Sequence, residues 1–400
     1  MIDHLFKIKG VVQHYSWGGY DYIPDLLGIE NKDHQPFAEY WLGAHPNHPS
    51  KIGAGELTLS ELIRQQPASL LGKAVSEQFS SLPFLFKILD VRQMLSIQVH
   101  PSKESAIKEF ALENENGIPV NAPNRNYKDE NHKPELMVAL GDFWLLHGFK
   151  SEAKLKEVLL QKPGFHSLLK LFGEHDYRAL YEEVMTMDQE MVDSILGPVL
   201  EPLIPRYNSG QFDKGSEDFW AARAVSTFCK NGHYDRGIFS IYFFNLVHLK
   251  KGEGIFQPQG MPHAYLEGQN VEVMANSDNV LRAGLTDKHI DVKELLKHVD
   301  FRATFPDILK AKSDFSNTYH SPAREFELHA YRFNGQQEQV VAHSPEIWFL
   351  LSGSARVKSN DIKLELNKGE AVFLAPEAGL SIDSDHGELF RCIVPMEVKN

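Results

Sequence analysis

One pattern occurs twice along the 400 residues and limits what the chain can fold into. KKGEGIFQPQGMPHAYL (250–266) lines up with NKGEAVFLAPEAGLSID (367–383), and KPELMVALGDFWLLHG (133–148) with SPEIWFLLSGSARV (344–357). Each copy places Pro-Glu ahead of an apolar strand and, much later, a Lys-Gly-Glu turn ahead of another. A β-unit that recurs within one chain predicts two related β-barrels. Only the first copy carries histidines, so the chemistry is expected there, and Glu346 of the second reads as a relic of the repeat.

Between and before the copies the texture varies. Up to about residue 150 the chain reads as short strands and turns with occasional helices. TLSELIRQQP (58–67) opens with a capping box, Thr58 with Glu61. PSKESAIKEFALENENG (101–117) reads as a helix from a proline and a Ser cap to Gly117. From 151 to about 229, segments such as KLKEVLL, YRALYEEVM and MVDSILGPVL space apolar residues three and four apart, the mark of amphipathic helices. Strand texture returns at GIFSIYFFNLVHLKKGEG (237–254) and persists, apart from a helix at DVKELLKHV (291–299). The expected fold class is therefore mainly β with an α-helical insert. Residues 1–150 form the N-terminal part of a catalytic β-domain, 151–232 an inserted helical domain, 233–310 the rest of the catalytic domain, and 311–400 a degenerate β-domain.

Hydrophobic residues make up 42% and charged residues 24%, an ordinary soluble composition. MIDHLFKIKG has no apolar core of signal-peptide length, and no run reaches a membrane span. Cys229 and Cys392 lie far apart, which excludes a disulfide framework and a thiolate metal site. A cytoplasmic location follows as the expectation. The net charge of −13 disfavours nucleic acid and anionic membranes as partners, but a small anionic substrate needs only a local cluster of cations in a cleft.

LSIQVH (95–100) alternates Leu95, Ile97 and Val99 with Ser96, Gln98 and His100, which is how a two-faced strand reads. The run LPFLFKILDV (82–91) just upstream implies a buried neighbourhood, where an amide and an imidazole need partners. HKPEL (132–136) offers Glu135, and QPQGMPHAYLEGQN (257–270) offers His263. Gln98, His100, Glu135 and His263 together make a mixed nitrogen and oxygen site for one divalent ion. Taken singly, each has a plainer role: a core or surface histidine, a capping carboxylate. The pattern raises the odds, because Gly252, Pro258, Gly260 and His263 fit the spacing G-x5-P-x-G-x2-H of the cupin barrels, with Glu267 where that family usually has Asn. Around this site fall Lys87, Lys133, Asp278, Arg282 and Lys288, and cations gathered near a metal in an acidic protein suit a phosphorylated or carboxylated substrate. Lys87 and Lys288 also fit ordinary snorkelling or surface lysines.

QHYSWGG (13–19), PFAEYWLGAHP (36–46), LPFLFKILDVRQMLSIQVHPSK (82–103), YKDENHKPELMVAL (127–140) and QPQGMPHAYLEGQNVEVMANSDNVLRAGLTDKHID (257–291) together closely resemble the type I mannose-6-phosphate isomerases. The resemblance runs in order to about residue 291. It implies two cupin-like jelly-roll barrels plus a helical domain, and one zinc ion per chain on Gln98, His100, Glu135 and His263. It also implies an enzyme interconverting mannose 6-phosphate and fructose 6-phosphate through a cis-enediolate. Arg282 takes the place of the family's active-site arginine; Ser96, Lys87, Lys133, Tyr265, Asp278 and Lys288 fall in its sugar and phosphate pocket. The candidates for proton transfer are Asp278, His132 and Lys133. The expected partner is a small phosphosugar and the expected state a monomer. Two other readings compete: an Fe(II) cupin oxygenase, disfavoured by a fourth protein ligand, and a non-catalytic sugar-binding cupin, disfavoured by the complete ligand set and basic cluster.

Overall fold

The computed structural model describes residues 4–174 and 176–396, so the outermost residues of the segments 1–150 and 311–400 lie outside the described residues. Two ten-stranded sheets dominate it. The first runs in spatial order through Gly254–Gln257, Glu135–Ala139, His263–Ala275, Phe84–Val91, Glu39–Gly43 and Val11–Gln13. The second runs through Ser316–Tyr319, Glu327–Phe333, Gly387–Ile393, Glu346–Ser359 and Ala371–Leu374 to Leu5–Lys9 and Lys51–Ile52. The long strand His263–Ala275 serves two sets of partners. Its end pairs with Phe84–Val91 and Glu135–Ala139, its start with Gln98 and Phe143–Phe149, and a register shift between Tyr265 and Glu267 marks the change.

The internal repeat is visible in the register. Glu135 lies opposite Gln257 on one side and Met274 on the other; Glu346 lies opposite Leu374 and Ile393. The Lys-Gly-Glu turns match as well: the Glu253 carboxylate accepts from the Lys250 amide at 2.9 Å, and that of Glu370 from the Asn367 amide at 2.8 Å.

Both strands that carry the Pro-Glu motif read as unbroken apolar runs because both of their faces are buried. Leu136 and Val138 share one core with Ile347 and Phe349, which joins the two sheets. Met137 and Ala139 point the other way, into the interior of the first sheet, and Trp348 and Leu350 into that of the second. Each such side chain contributes about 1.5–3 kcal/mol by leaving water. A slip of one residue would exchange the faces and drive Glu135 into the shared apolar core, so the register is strongly specified.

Helices from Glu152–Gln161 to Glu217–Phe228 collect around Leu155, Phe165, Leu196 and Trp220 and pack on Leu146, Phe149 and Leu281 of the first sheet. Asp176, Asp188 and Ser216 cap three of them. The capping box of Thr58 and Glu61 is present, and Ser102 caps Lys103–Glu115. Among the described residues no helix is long and apolar enough to cross a membrane.

Two expectations are corrected here. Residues 237–254 do not begin as a strand: Ile238–Phe243 is a helix, and the strand is Phe244–Leu249. All six helical residues are buried, and an apolar run buried on every side carries no period to separate helix from strand. Residues 1–150 do not belong wholly to the first β-unit either. Leu5–Lys9 joins the second sheet, with Leu5 opposite Leu374, and so covers an edge of Ala371–Leu374 that would otherwise be open.

Candidate metal centre and cleft

Three strands bring the candidate ligands together. Glu135 opens its strand, His263 opens the long strand beside it, and His100 follows the two-residue strand Gln98–Val99. All three are buried. One ligand atom from each lies within 4.8 Å of the others. Nε2 of His100 stands 3.5 Å from Glu135 Oε1, and Nε2 of His263 stands 3.2 Å from Oε2. Gln98 lies directly opposite His263 in the register and lines the adjoining cavities.

These residues fit a divalent ion. His100 Nδ1 bonds the backbone carbonyl of Asn279 at 2.8 Å and His263 Nδ1 that of Met261 at 2.9 Å. A carbonyl accepts only from N–H, so both rings carry their proton on Nδ1 and present the lone pair of Nε2 to the site. His100 Nε2 is fully buried with no hydrogen-bond partner, a costly state in a protein interior. Burial, helped by the Lys133 charge, pushes the His100 imidazole down to about 4 and so keeps it neutral. Burial works against ionisation of Glu135, and the Lys133 ammonium 2.8 Å away is the chief influence holding the carboxyl well below its usual range. Two imidazoles that present Nε2, beside a carboxylate, are suitable ligands for zinc.

The cluster adjoins a cleft of about 380 Å³ lined by Ser96, Gln98, Lys87, Lys133, Arg282 and Lys288, with Asp278 also on its wall. Arg282 is opposite Gln98, which is opposite His263. The three therefore stand in a row on one face of adjacent strands, about 4.8 Å apart per strand. Among the described residues, neither the Arg282 guanidinium nor the Lys288 ammonium has a hydrogen-bond or ion-pair partner. Burial alone lowers the Arg282 guanidinium, and burial plus Arg282 lowers the Lys288 ammonium. Two cations without carboxylate partners at one cleft are the chemistry an anion would need. Asp278 is held below the usual carboxylate range against its burial by His45, 3.5 Å away, with Lys133 and Lys87 helping.

The remaining expected residues differ in where they face. His132 turns away from the cleft and pairs with Glu325 at 2.7 Å, because successive residues of extended chain point to opposite sides and Lys133 takes the cleft side. His132 does not line the cleft. The Tyr265 hydroxyl lines a smaller adjoining cavity of about 50 Å³ and donates to Glu272 at 2.7 Å. Lys87 is buried under Trp41, 3.4 Å from Glu39 and 3.2 Å from Glu272. Burial opposes its charge, but those carboxylates outweigh it and raise its pKa.

Glu39, Trp41, Glu272 and His45 were not among the residues expected from sequence. A visible signal for Glu272 is a carboxylate inside the apolar run VEVMA, and for Glu39 and Trp41 the alternation EYW.

Residues 5–152 match the family model described as phosphomannose isomerase type I, catalytic domain. The mannose-6-phosphate isomerase of Escherichia coli (strain K12) is 36% identical over 395 residues, covering 96% of this chain and 98% of that protein. That of Macaca fascicularis is 30% identical, covering 94% and 95%. Among solved structures, the mannose 6-phosphate isomerase from Salmonella typhimurium bound to substrate (f6p) and a zinc atom superposes with a TM-score of 0.88 at 35% identity, covering 98% of this chain and 100% of that one.

Proposed function

From the premise that the chain belongs to the type I phosphomannose isomerases, we infer that it is a zinc-dependent isomerase interconverting D-mannose 6-phosphate and D-fructose 6-phosphate. The observation that carries this is the buried His100, Glu135 and His263 cluster beside a cleft that holds Arg282 and Lys288, the two joined through Gln98 and Lys133.

Zinc, when bound, supplies Lewis-acid polarisation of the sugar oxygens and a fixed positive charge. His100, Glu135 and His263, with Gln98 beside them, would hold it. The reaction moves a proton between C2 and C1 and builds negative charge on both oxygens of a cis-enediolate. Arg282, in line with Gln98 and His263, stabilises that charge. Lys288 holds the phosphate, and Ser96 and Tyr265 bound the sugar. Asp278 and Lys133 both line the cleft as carriers of the proton, and Lys87 pairs with Glu39 and Glu272 beside it. A positioned base of this kind is worth about 10²–10⁴ in rate.

In this reading the two sheets are two cupin-like jelly rolls, the second without a metal site, and residues 151–232 are a helical insert. The enzyme acts as a cytoplasmic monomer with the phosphosugar as its partner, and neither nucleic acid nor membrane. Its acidic surface supports that; a dimer mass in sedimentation velocity would overturn the monomer.

The decisive experiment is to strip the protein with a chelator, return Zn²⁺, and follow fructose 6-phosphate formation from mannose 6-phosphate. Activity should vanish and return. Failure of the metal-replete protein to isomerise would sink the reading.

A further inference from the structure

We propose that Asn279 is a positioning residue that locks the metal ligand His100 to the loop carrying Lys133, with Asp129 and Ser277 completing the lock. This deepens the functional reading above and rests on it. Asn279 is fully buried, and its side chain uses its whole hydrogen-bonding capacity on one short stretch of chain. Its Oδ1 accepts from the backbone amides of Lys128 at 2.6 Å and Asp129 at 3.3 Å. Its Nδ2 donates to the carbonyls of Asp129 and Asn131, each at 2.8 Å, and to Asp129 Oδ1 at 3.2 Å.

The pattern assigns the amide orientation without ambiguity, because every partner of the oxygen is a donor and every partner of the nitrogen an acceptor. The same residue's backbone carbonyl accepts from His100 Nδ1. The bond that fixes the tautomer of a metal ligand therefore comes from a peptide that is held by the Lys128–Asn131 loop.

Asp129 closes the lock from the other side. Its Oδ1 accepts from the Asn131 amide at 2.8 Å and the Ser277 hydroxyl at 2.9 Å, and its Oδ2 from the Asp278 amide at 2.7 Å. Ser277 Oγ in turn accepts from the Asn279 amide at 3.2 Å. Two loops are thereby tied together. One leads into Lys133 and Glu135; the other carries Asp278 and runs on to Arg282. Groups that must act together on one sugar keep their spacing through these buried polar bonds, whose loss would leave several main-chain groups without partners.

The test is zinc affinity, read by competition with a chromophoric chelator, beside kcat, KM and the melting temperature. Removing a partner that orients a metal ligand costs about 10–100-fold in affinity or activity. Asn279→Ala should therefore bind zinc about 10–100-fold more weakly and lose kcat at saturating zinc, with KM changed less. Zinc affinity and kcat like those of the unsubstituted protein, with only the melting temperature lowered, would reduce Asn279 to a packing residue and overturn the proposal. Should Asn279→Ala not fold, Ser277→Ala removes one hydroxyl of the lock and should weaken zinc binding in the same direction; an unchanged affinity there overturns it equally. Unsubstituted protein that binds no zinc would instead overturn the functional reading, and this one with it.

Discussion

Glu135 and Glu346 occupy the same register of the two sheets, both buried, both followed by strands that line the shared core. Their partners differ in kind. Two residues along the neighbouring strand, opposite Met137, the first sheet has Glu272; at the matching place, opposite Trp348, the second has Arg391. Arg391 Nη2 lies 2.5 Å from Glu346 Oε1 and its Nε 2.8 Å from Oε2, while the guanidinium stacks over Trp348. That fork satisfies both carboxylate oxygens and leaves nothing for an ion to do. In the first sheet a second carboxylate stands in that place, taken up by Lys87 at 3.2 Å, and Glu135 keeps two imidazole Nε2 atoms within 3.5 Å of its oxygens in place of an arginine fork. The residue at that strand position, together with the histidines that only the first copy carries, separates a closed ion pair from a candidate metal site.

The comparison can be broken most directly by removing each carboxylate. Glu135→Gln should abolish zinc binding and reduce isomerisation to background, with a small change in melting temperature. Glu346→Gln should leave kcat per folded molecule intact and cost about 1–3 kcal/mol of stability in denaturant titration, because the half-buried Arg391 loses its charge partner and keeps only the Tyr331 hydroxyl and the Trp348 ring. Lost turnover in folded Glu346→Gln would mean that the second unit reaches the chemistry.

Arg282→Ala should lower kcat on the order of 10²-fold with a smaller rise in KM, since one such electrostatic contact is worth about 3 kcal/mol in the transition state. A pure KM effect would place Arg282 with Lys288 on the phosphate. Solvent exchange of the C2 proton sharpens the same cleft: Lys133→Met should suppress it if Lys133 carries the proton, and leave it intact if Asp278 does.

Acid should act on the first unit. His100 and His147 are buried there and both are pushed from 6.5 down to about 4, chiefly by burial. The unfolded chain takes up these protons below pH 6.5 while the folded one does not until about pH 4, so the stabilisation is present above that window and is lost as pH falls through it. Metal-free protein should lose about 1.4 kcal/mol per pH unit for each residue across that range in denaturant titrations. A flat profile would mean that water reaches both rings. The smallest effect is expected where the second unit loses its pair altogether. Glu346→Leu with Arg391→Met should restore stability to within about 1 kcal/mol, because an apolar replacement of a buried pair is often neutral.

Much of the site was legible in sequence because its signals are local. His100 follows an alternating strand, Glu135 opens an apolar run, and His263 ends a spaced Gly and Pro turn. The caps at Thr58 and Ser102 were legible for the same reason. Glu346 was visible too, as a repeat without histidines. What answers it was not, because Arg391 lies 45 residues away and meets it only through strand pairing. The same holds for the first strand, which crosses to the far sheet, and for Asn279, whose partners lie about 150 residues earlier. The facing of His132 toward Glu325, 193 residues on, is of this kind as well. Sequence by itself determined which residue types recur and at what spacing, since backbone period and turn chemistry act within a few residues. Only the tertiary structure decided which charge stands opposite each buried carboxylate, because the cost of burying a charge is set by neighbours that chain folding, not chain order, brings within a few ångströms.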